Sequence, residues 1–181
     1  MRVISGKYRS RKIKEVKSEL TRPTTDRNKE ALFNTIGQYF EDALFLDLFS
    51  GSGALGIEAL SRGASHCDFL DNNYLACKVI QANLDSLKVE ESYQIIKNDA
   101  LKFLRTTDKK YDYILVDPPY ALMKYQEILN TIASRQLLNS GGIIVFEADK
   151  NTVLPLKASN IYKYKDKTFG NTIFGFYHLE E

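Results

Sequence analysis

The sequence predicts an α/β fold, a mainly parallel sheet covered by helices on both faces. Three observations predict it. Apolar runs of strand length alternate with helical periodicity from residue 43 to residue 146. A small-residue turn, Ser50-Gly51-Ser52-Gly53, joins the first such run to the first such helix. Acidic residues recur at the ends of successive apolar runs, at Asp47, Asp71, Asp99 and Asp117.

The chain opens with loose alternation. Val3, Ile4, Tyr8, Ile13, Val16 and Leu20 are spaced by Arg and Lys, which predicts a short hairpin or extended arm turning at Gly6-Lys7. Thr24, Thr25 or Asp26 then caps a helix whose apolar face is Ala31, Leu32, Phe33 and Ile36, and Gly37 closes it. Ala43 to Leu48 is the first strand, followed by the glycine turn and a helix through Leu55, Ile57, Ala59 and Leu60 to Gly63. His66 to Asp71 is the second strand, and Asn72-Asn73 caps a helix through Ala76, Val79, Ile80, Leu84 and Leu87. Tyr93 to Lys97 is the third, with a short helix on Leu101, Phe103 and Leu104. Tyr111 to Val116 is the fourth, with a helix from about Tyr125 to Leu138. Asn139-Ser140-Gly141-Gly142 predicts a turn into a fifth strand, Ile143 to Phe146, and Ile161 to Leu179 predicts a hairpin at Gly170-Asn171.

With 181 residues and 44% hydrophobic composition, the chain suffices for one sizeable core. No run approaches the roughly 20 apolar residues that span a bilayer, and no apolar leader follows Met1, so a cytoplasmic location is expected. Cys67 falls in a strand and Cys77 in a helix, without metal-ligand spacing. His66 and His178 are isolated, so no metal is expected. Charge is uneven. Residues 1–29 hold ten Lys/Arg against three Asp/Glu, and the rest holds fifteen against twenty. A basic arm on an acidic body suits a polyanionic partner. Arg2, Lys7, Arg9, Arg11, Lys12 and Lys14 can reach successive phosphates, and Arg22 and Arg27 flank the first helix cap.

Gly51, Gly53 and Gly56 match the G-x-G-x-x-G spacing of dinucleotide sites. Asp47, at the strand end before them, opposes a pyrophosphate and favours a ligand with a cationic end, such as S-adenosylmethionine. Ligands of open α/β sheets bind where these strands end. Four acids on one rim repel each other unless a cation or donors lie between them. Asp71 can accept ribose hydroxyls and Asp99 an adenine amino group, although Asp99 also stands where a helix cap would. Asp117-Pro118-Pro119-Tyr120 is the sharpest motif. Two prolines remove two N–H donors and leave acceptors, the Asp117 carboxylate and the Pro118 carbonyl, beside the flat face of Tyr120. That arrangement suits a planar amino group, whose N–H bonds the acceptors hold while its lone pair turns to an incoming methyl.

These motifs resemble the class I S-adenosylmethionine-dependent methyltransferases that act on amino groups. Arg2 to Gly6, Arg22 to Arg27, Leu46 to Gly63 and Asp117 to Tyr120, in this order, resemble the bacterial family that methylates guanine N2 in 16S ribosomal RNA. The resemblance implies a Rossmann-like, seven-stranded, mostly parallel sheet with an antiparallel last strand. It implies residues 1–22 as a basic RNA-gripping extension and 23–181 as the catalytic domain. The cofactor residues expected are Asp47, Phe49, Gly51, Ser52, Gly53, Asp71, Asn72, Asp99 and Ala100, with Asp117, Pro118 and Tyr120 at the target base. The expected partner is ribosomal RNA or a small-subunit assembly intermediate, met by a monomer. Related chemistry on DNA adenine or cytosine, or on a protein glutamine, is the main alternative. A nicotinamide-dependent oxidoreductase and a silent RNA-binding module are weaker ones. A pyrimidine C5 mechanism would require a cysteine nucleophile near the fourth strand, which neither Cys67 nor Cys77 supplies.

Overall fold

A computed structural model of the chain describes residues 1–17, 25–119 and 124–180. Thr25 is the N-cap of α1 (Asp26–Ile36), accepting from the Asn28 amide, and Gly37 follows at φ 143°. The alternating core is β1 (Leu44–Leu48), α2 (Ala54–Ser61), β2 (His66–Asp71), α3 (Tyr74–Leu87), β3 (Ser92–Lys97), α4 (Ala100–Thr106), β4 (Tyr111–Val116), α5 (Tyr125–Arg135) and β5 (Leu138–Asp149). Three antiparallel strands end the chain: β6 (Lys157–Ala158), β7 (Ile161–Phe169) and β8 (Thr172–Leu179). The sheet order is β3-β2-β1-β4-β5-β8-β7-β6.

The parallel half pairs β1 with β2 and β4, β2 with β3, and β4 with β5. Strand β8 runs against β5, as expected for the last strand. The eighth strand, β6, is two residues long and too short to show a sequence pattern. Strand β5 starts earlier than the turn chemistry predicts. Residues 139–142 stay in the strand as an irregularity opposite Asp112, with Tyr111 facing Leu138 and Tyr113 facing Ile143. Asp112 holds this offset: its carboxylate accepts from the Asn139 side chain at 3.1 Å and from the Leu44 amide at 2.8 Å.

Each sheet face has its own core. One joins Phe33, Phe45, Ile57, Phe69, Ile80 and Phe174 under α1, α2 and α3. The other joins Leu46, Leu70, Leu104, Ile114, Leu129 and Phe146 under α4 and α5. Val3, Tyr8 and Ile13 belong to the first core. The basic N-terminal segment is therefore docked, not trailing. Its two legs pair through an antiparallel bridge between Arg2 and Lys12, so the expected hairpin is present. Gly6, at φ +89°, brings it against α2 so closely that a Cβ would lie 1.9 Å from the Ser61 carbonyl oxygen. The Ser61 Oγ then accepts from the Tyr8 amide and donates to the Ser5 carbonyl.

A buried ionic cluster completes the docking. Glu58, fully buried on α2, accepts from the Ile4 and Ser5 amides and from Arg62 Nε at 2.8 Å. Lys29 of α1, equally buried, lies 3.2 Å from it and donates to the Arg2 carbonyl. Burial pushes the Lys29 ammonium down and Glu58 opposes that. On β2, burial pushes the Asp68 carboxyl up. Hydrogen bonds from Tyr111, His66 and Lys109 outweigh it and hold the group below its ordinary value.

Candidate active site

Strand register sets the rim. Leu48 faces Leu70 on one side and Val116 on the other, so Asp71 and Asp117 stand one residue above it on adjacent strands. Asp47 sits lower, facing Phe69 and Leu115. Its side chain is 2% exposed and lies beneath the glycine loop, where Oδ2 accepts from the Gly56 amide at 3.0 Å. Ser50 Oγ donates to the Asp47 carbonyl at 2.6 Å. Burial pushes the Asp47 carboxyl up to about 7, partly offset by the Gly56 hydrogen bond and reinforced by the charges of Asp117 and Asp71. The acids that end β2 and follow β4 thus both act on Asp47 in β1.

The loop between Asp47 and α2 is left-handed at Phe49, Gly51 and Gly53, with φ values of 65°, 57° and 82°. Ser50 ties it to β2, its amide donating to the Leu70 carbonyl and its Oγ accepting from the Leu70 amide. The Gly51 amide donates to Asp71 Oδ2 at 2.9 Å, so the loop and the second acid form one unit. Among the described residues, a Cβ at Gly51 would meet nothing within 4 Å, so none of them covers the bare backbone there. Gly56 has the opposite role. A Cβ would lie 2.3 Å from Phe69 Cε1, so this glycine lets α2 pack tightly on β2.

The remaining expected residues are placed as follows. Asn72 is exposed after Asp71, and Asn73, not Asn72, caps α3 by accepting from the Leu75 and Ala76 amides. Asp71 Oδ1 accepts from the Asn73 amide at 2.9 Å. Asp99 caps α4, accepting from the Lys102 amide, and Ala100 is buried as the first residue of that helix. Asp117 and Pro119 are partly buried at the end of β4 and Pro118 is buried. Tyr120 lies outside the described residues, as does Arg22. Among the described residues no three His, Cys, Asp or Glu side chains group as metal ligands do, and no helix is long and apolar enough to cross a membrane.

The basic residues divide into two sets. Lys7 pairs with Glu90 and Glu91, which raise its pKa, and Arg11 donates to the Ser86 carbonyl at 2.9 Å. Arg2 is exposed and donates to the Ser10 carbonyl. Arg9, Lys12, Lys14 and Arg27 are exposed. Sequence reasoning missed Asn83. It is buried on α3, where its amide bonds both Lys14 and the Ser52 carbonyl. A polar residue among Ile80, Leu84 and Leu87 on the inward face was its only signal.

Known proteins match this arrangement along nearly its whole length. The Bacillus subtilis protein YlbH, named provisionally as an rRNA methyltransferase, is 42% identical over 175 residues, 95% of each chain. The Ribosomal RNA small subunit methyltransferase D of Escherichia coli (strain K12) is 32% identical over 180 residues, 99% of this chain and 90% of its own. The solved structure of yhhF from Escherichia coli, described provisionally as a methyltransferase, superposes with a TM-score of 0.88 at 30% identity, over 100% of this chain and 98% of that one. The family model described as Conserved hypothetical protein 95 matches residues 1–178. With its Rossmann-like methyltransferase fold, the chain belongs to that family.

Proposed function

We propose that this protein transfers a methyl group from S-adenosylmethionine to the exocyclic N2 amine of a guanine in 16S ribosomal RNA. The observation that carries the reading is the convergence of Asp47, Asp71 and Asp117 around a glycine loop whose backbone at Gly51 no described residue covers. Such an acid-lined edge suits a ligand with cationic groups and disfavours a pyrophosphate. The names of the relatives point the same way, to ribosomal RNA.

In this reading the loop from Phe49 to Gly53, with Asp47 beneath it, holds the amino-acid end of the cofactor. Asp71 and Asn72 take the ribose, and Asp99 and Ala100 take the adenine. When bound, the cofactor supplies an electrophilic methyl on a sulfonium. The Asp117 carboxylate and the Pro118 carbonyl accept the two N–H bonds of the guanine amine and orient its lone pair. Tyr120 stacks on the base, which leaves its own stack to enter. No base acts before attack, because the amine needs alignment rather than deprotonation. Asp117 stands beside the nitrogen to take its surplus proton afterwards. The exposed cations Arg2, Arg9, Lys12 and Arg27, with Lys7, Arg11 and Arg22, contribute phosphate contacts that position the RNA.

The test is methyl incorporation from labelled cofactor into under-modified small-subunit RNA, free and in assembly intermediates, followed by nucleoside analysis. N2-methylguanosine is the expected product. Methyladenosine or a methylated protein would redirect the reading to another amine. No incorporation into any of these substrates would end it.

A further inference from the structure

The side chain of Asn83 joins two segments that no backbone hydrogen bond connects among the described residues. It is 2% exposed on the inner face of α3. Its Oδ1 accepts from the Lys14 amide at 2.8 Å, and its Nδ2 donates to the Lys14 carbonyl at 3.0 Å. The same Nδ2 donates to the Ser52 carbonyl at 2.9 Å. Both amide protons are used, and each satisfies a backbone carbonyl. Lys14 lies in the docked basic segment, two residues beyond the Arg2–Lys12 bridge. Ser52 sits between the two left-handed glycines of the loop over Asp47.

We infer that Asn83 is a positioning residue that couples the two ligand sites, so that RNA on the basic segment and cofactor on the glycine loop strengthen each other's binding. This inference rests on the function proposed above. The physical basis is shared ordering. Two hydrogen bonds to the Lys14 backbone aim the Asn83 amide, and the third fixes the Ser52 carbonyl. A ligand that orders either segment lowers the ordering cost left for the other. Because coupling is reciprocal, the cofactor then tightens RNA by the same factor as RNA tightens the cofactor. Ser61 provides the contrast. It also clamps the basic segment, through Ser5 and Tyr8, but it bonds nothing in the glycine loop.

The experiment measures the Kd of S-adenosylmethionine by calorimetry, with and without a saturating guanine-containing RNA hairpin. The full-length protein is compared with Asn83→Ala, Asn83→Asp and Ser61→Ala. Asn83→Asp keeps the volume and the acceptor for the Lys14 amide but loses the donor to the Lys14 and Ser52 carbonyls, so it serves if the alanine variant does not fold. Wild-type protein should bind the cofactor about 5- to 10-fold tighter with RNA present. Both Asn83 variants should bring that ratio to within twofold of one, and Ser61→Ala should keep it, whatever each does to the melting temperature. Wild-type protein that binds neither ligand overturns the proposed function as well. A wild-type ratio of one with both ligands bound overturns only the coupling, as does a ratio that survives in the Asn83 variants.

Discussion

Replacing Asp47 with asparagine should stabilise the protein in a pH-dependent way. The carboxyl is ordinarily near 3.8 and is pushed to about 7 by burial under the glycine loop. That difference corresponds to about 4 kcal/mol of preference for the protonated form in the folded state. Below pH 3.8 the group is protonated whether the chain is folded or not, and the wild type bears no cost. Between 3.8 and about 7 the unfolded chain releases the proton while the folded one keeps it, so stability falls as pH rises. Above about 7 the full cost is present. An amide at this position never ionises, and its oxygen still accepts from the Gly56 amide. The stability of Asp47→Asn relative to wild type should therefore grow by about 4 kcal/mol between pH 4 and pH 8 and then level off. Urea unfolding of both proteins at half-unit pH steps, with matched m-values, measures this. A difference that stays flat, or that shrinks with pH, would show that the carboxylate is not held out of water and would refute the reasoning. The same variant should bind S-adenosylmethionine more weakly, because the buried negative charge facing its cationic end is gone.

Four further outcomes are expected. Asp117→Ala should lower kcat for RNA methylation about 10²- to 10³-fold, the scale seen when one oriented partner of a reacting group is removed; single-turnover assays give the number. Glu58→Ala leaves Lys29 and Arg62 buried without their carboxylate and should cost about 3–5 kcal/mol by chemical denaturation. Gly56→Ala places a methyl group into the edge of Phe69 and should cost about 2 kcal/mol after the gain in helix propensity, measured by the same titration. The pair Arg9→Ala and Lys12→Ala should weaken RNA binding uniformly across sequences and flatten the plot of log affinity against log salt by about 1–2, followed by fluorescence anisotropy.

Local chemistry was legible in the sequence, and long-range chemistry was not. The glycine turn, the Thr25 cap and the Gly170-Asn171 hairpin each depend on a few consecutive residues, so their signals lie side by side. The positions of Asp71 and Asp117 were legible because a strand-helix alternation brings the ends of parallel strands to one edge, whereas Asp47, inside β1, lies buried below that edge. Asp99 showed the limit, since an acid before a helix reads equally well as a ligand contact and as a cap; here it caps α4. The start of β5 was misplaced because Gly141-Gly142 has turn chemistry, while Asp112, on another strand, lets the backbone continue in the sheet. Glu58, Lys29 and Asn83 were not legible as partners at all. A charged or amide side chain on an inward helical face signals that it is satisfied somewhere, but not by what.

The docked hairpin has a consequence for how the chain is made. Lys7 and Tyr8 meet Glu90 and Glu91 across 82 to 84 positions, and Tyr8 meets Ser61 across 53. The hairpin therefore cannot complete its docking until the residues up to Glu91 have followed it from the ribosome. Until then Val3, Tyr8 and Ile13 stay exposed, and the lysines and arginines between them keep that waiting segment dissolved.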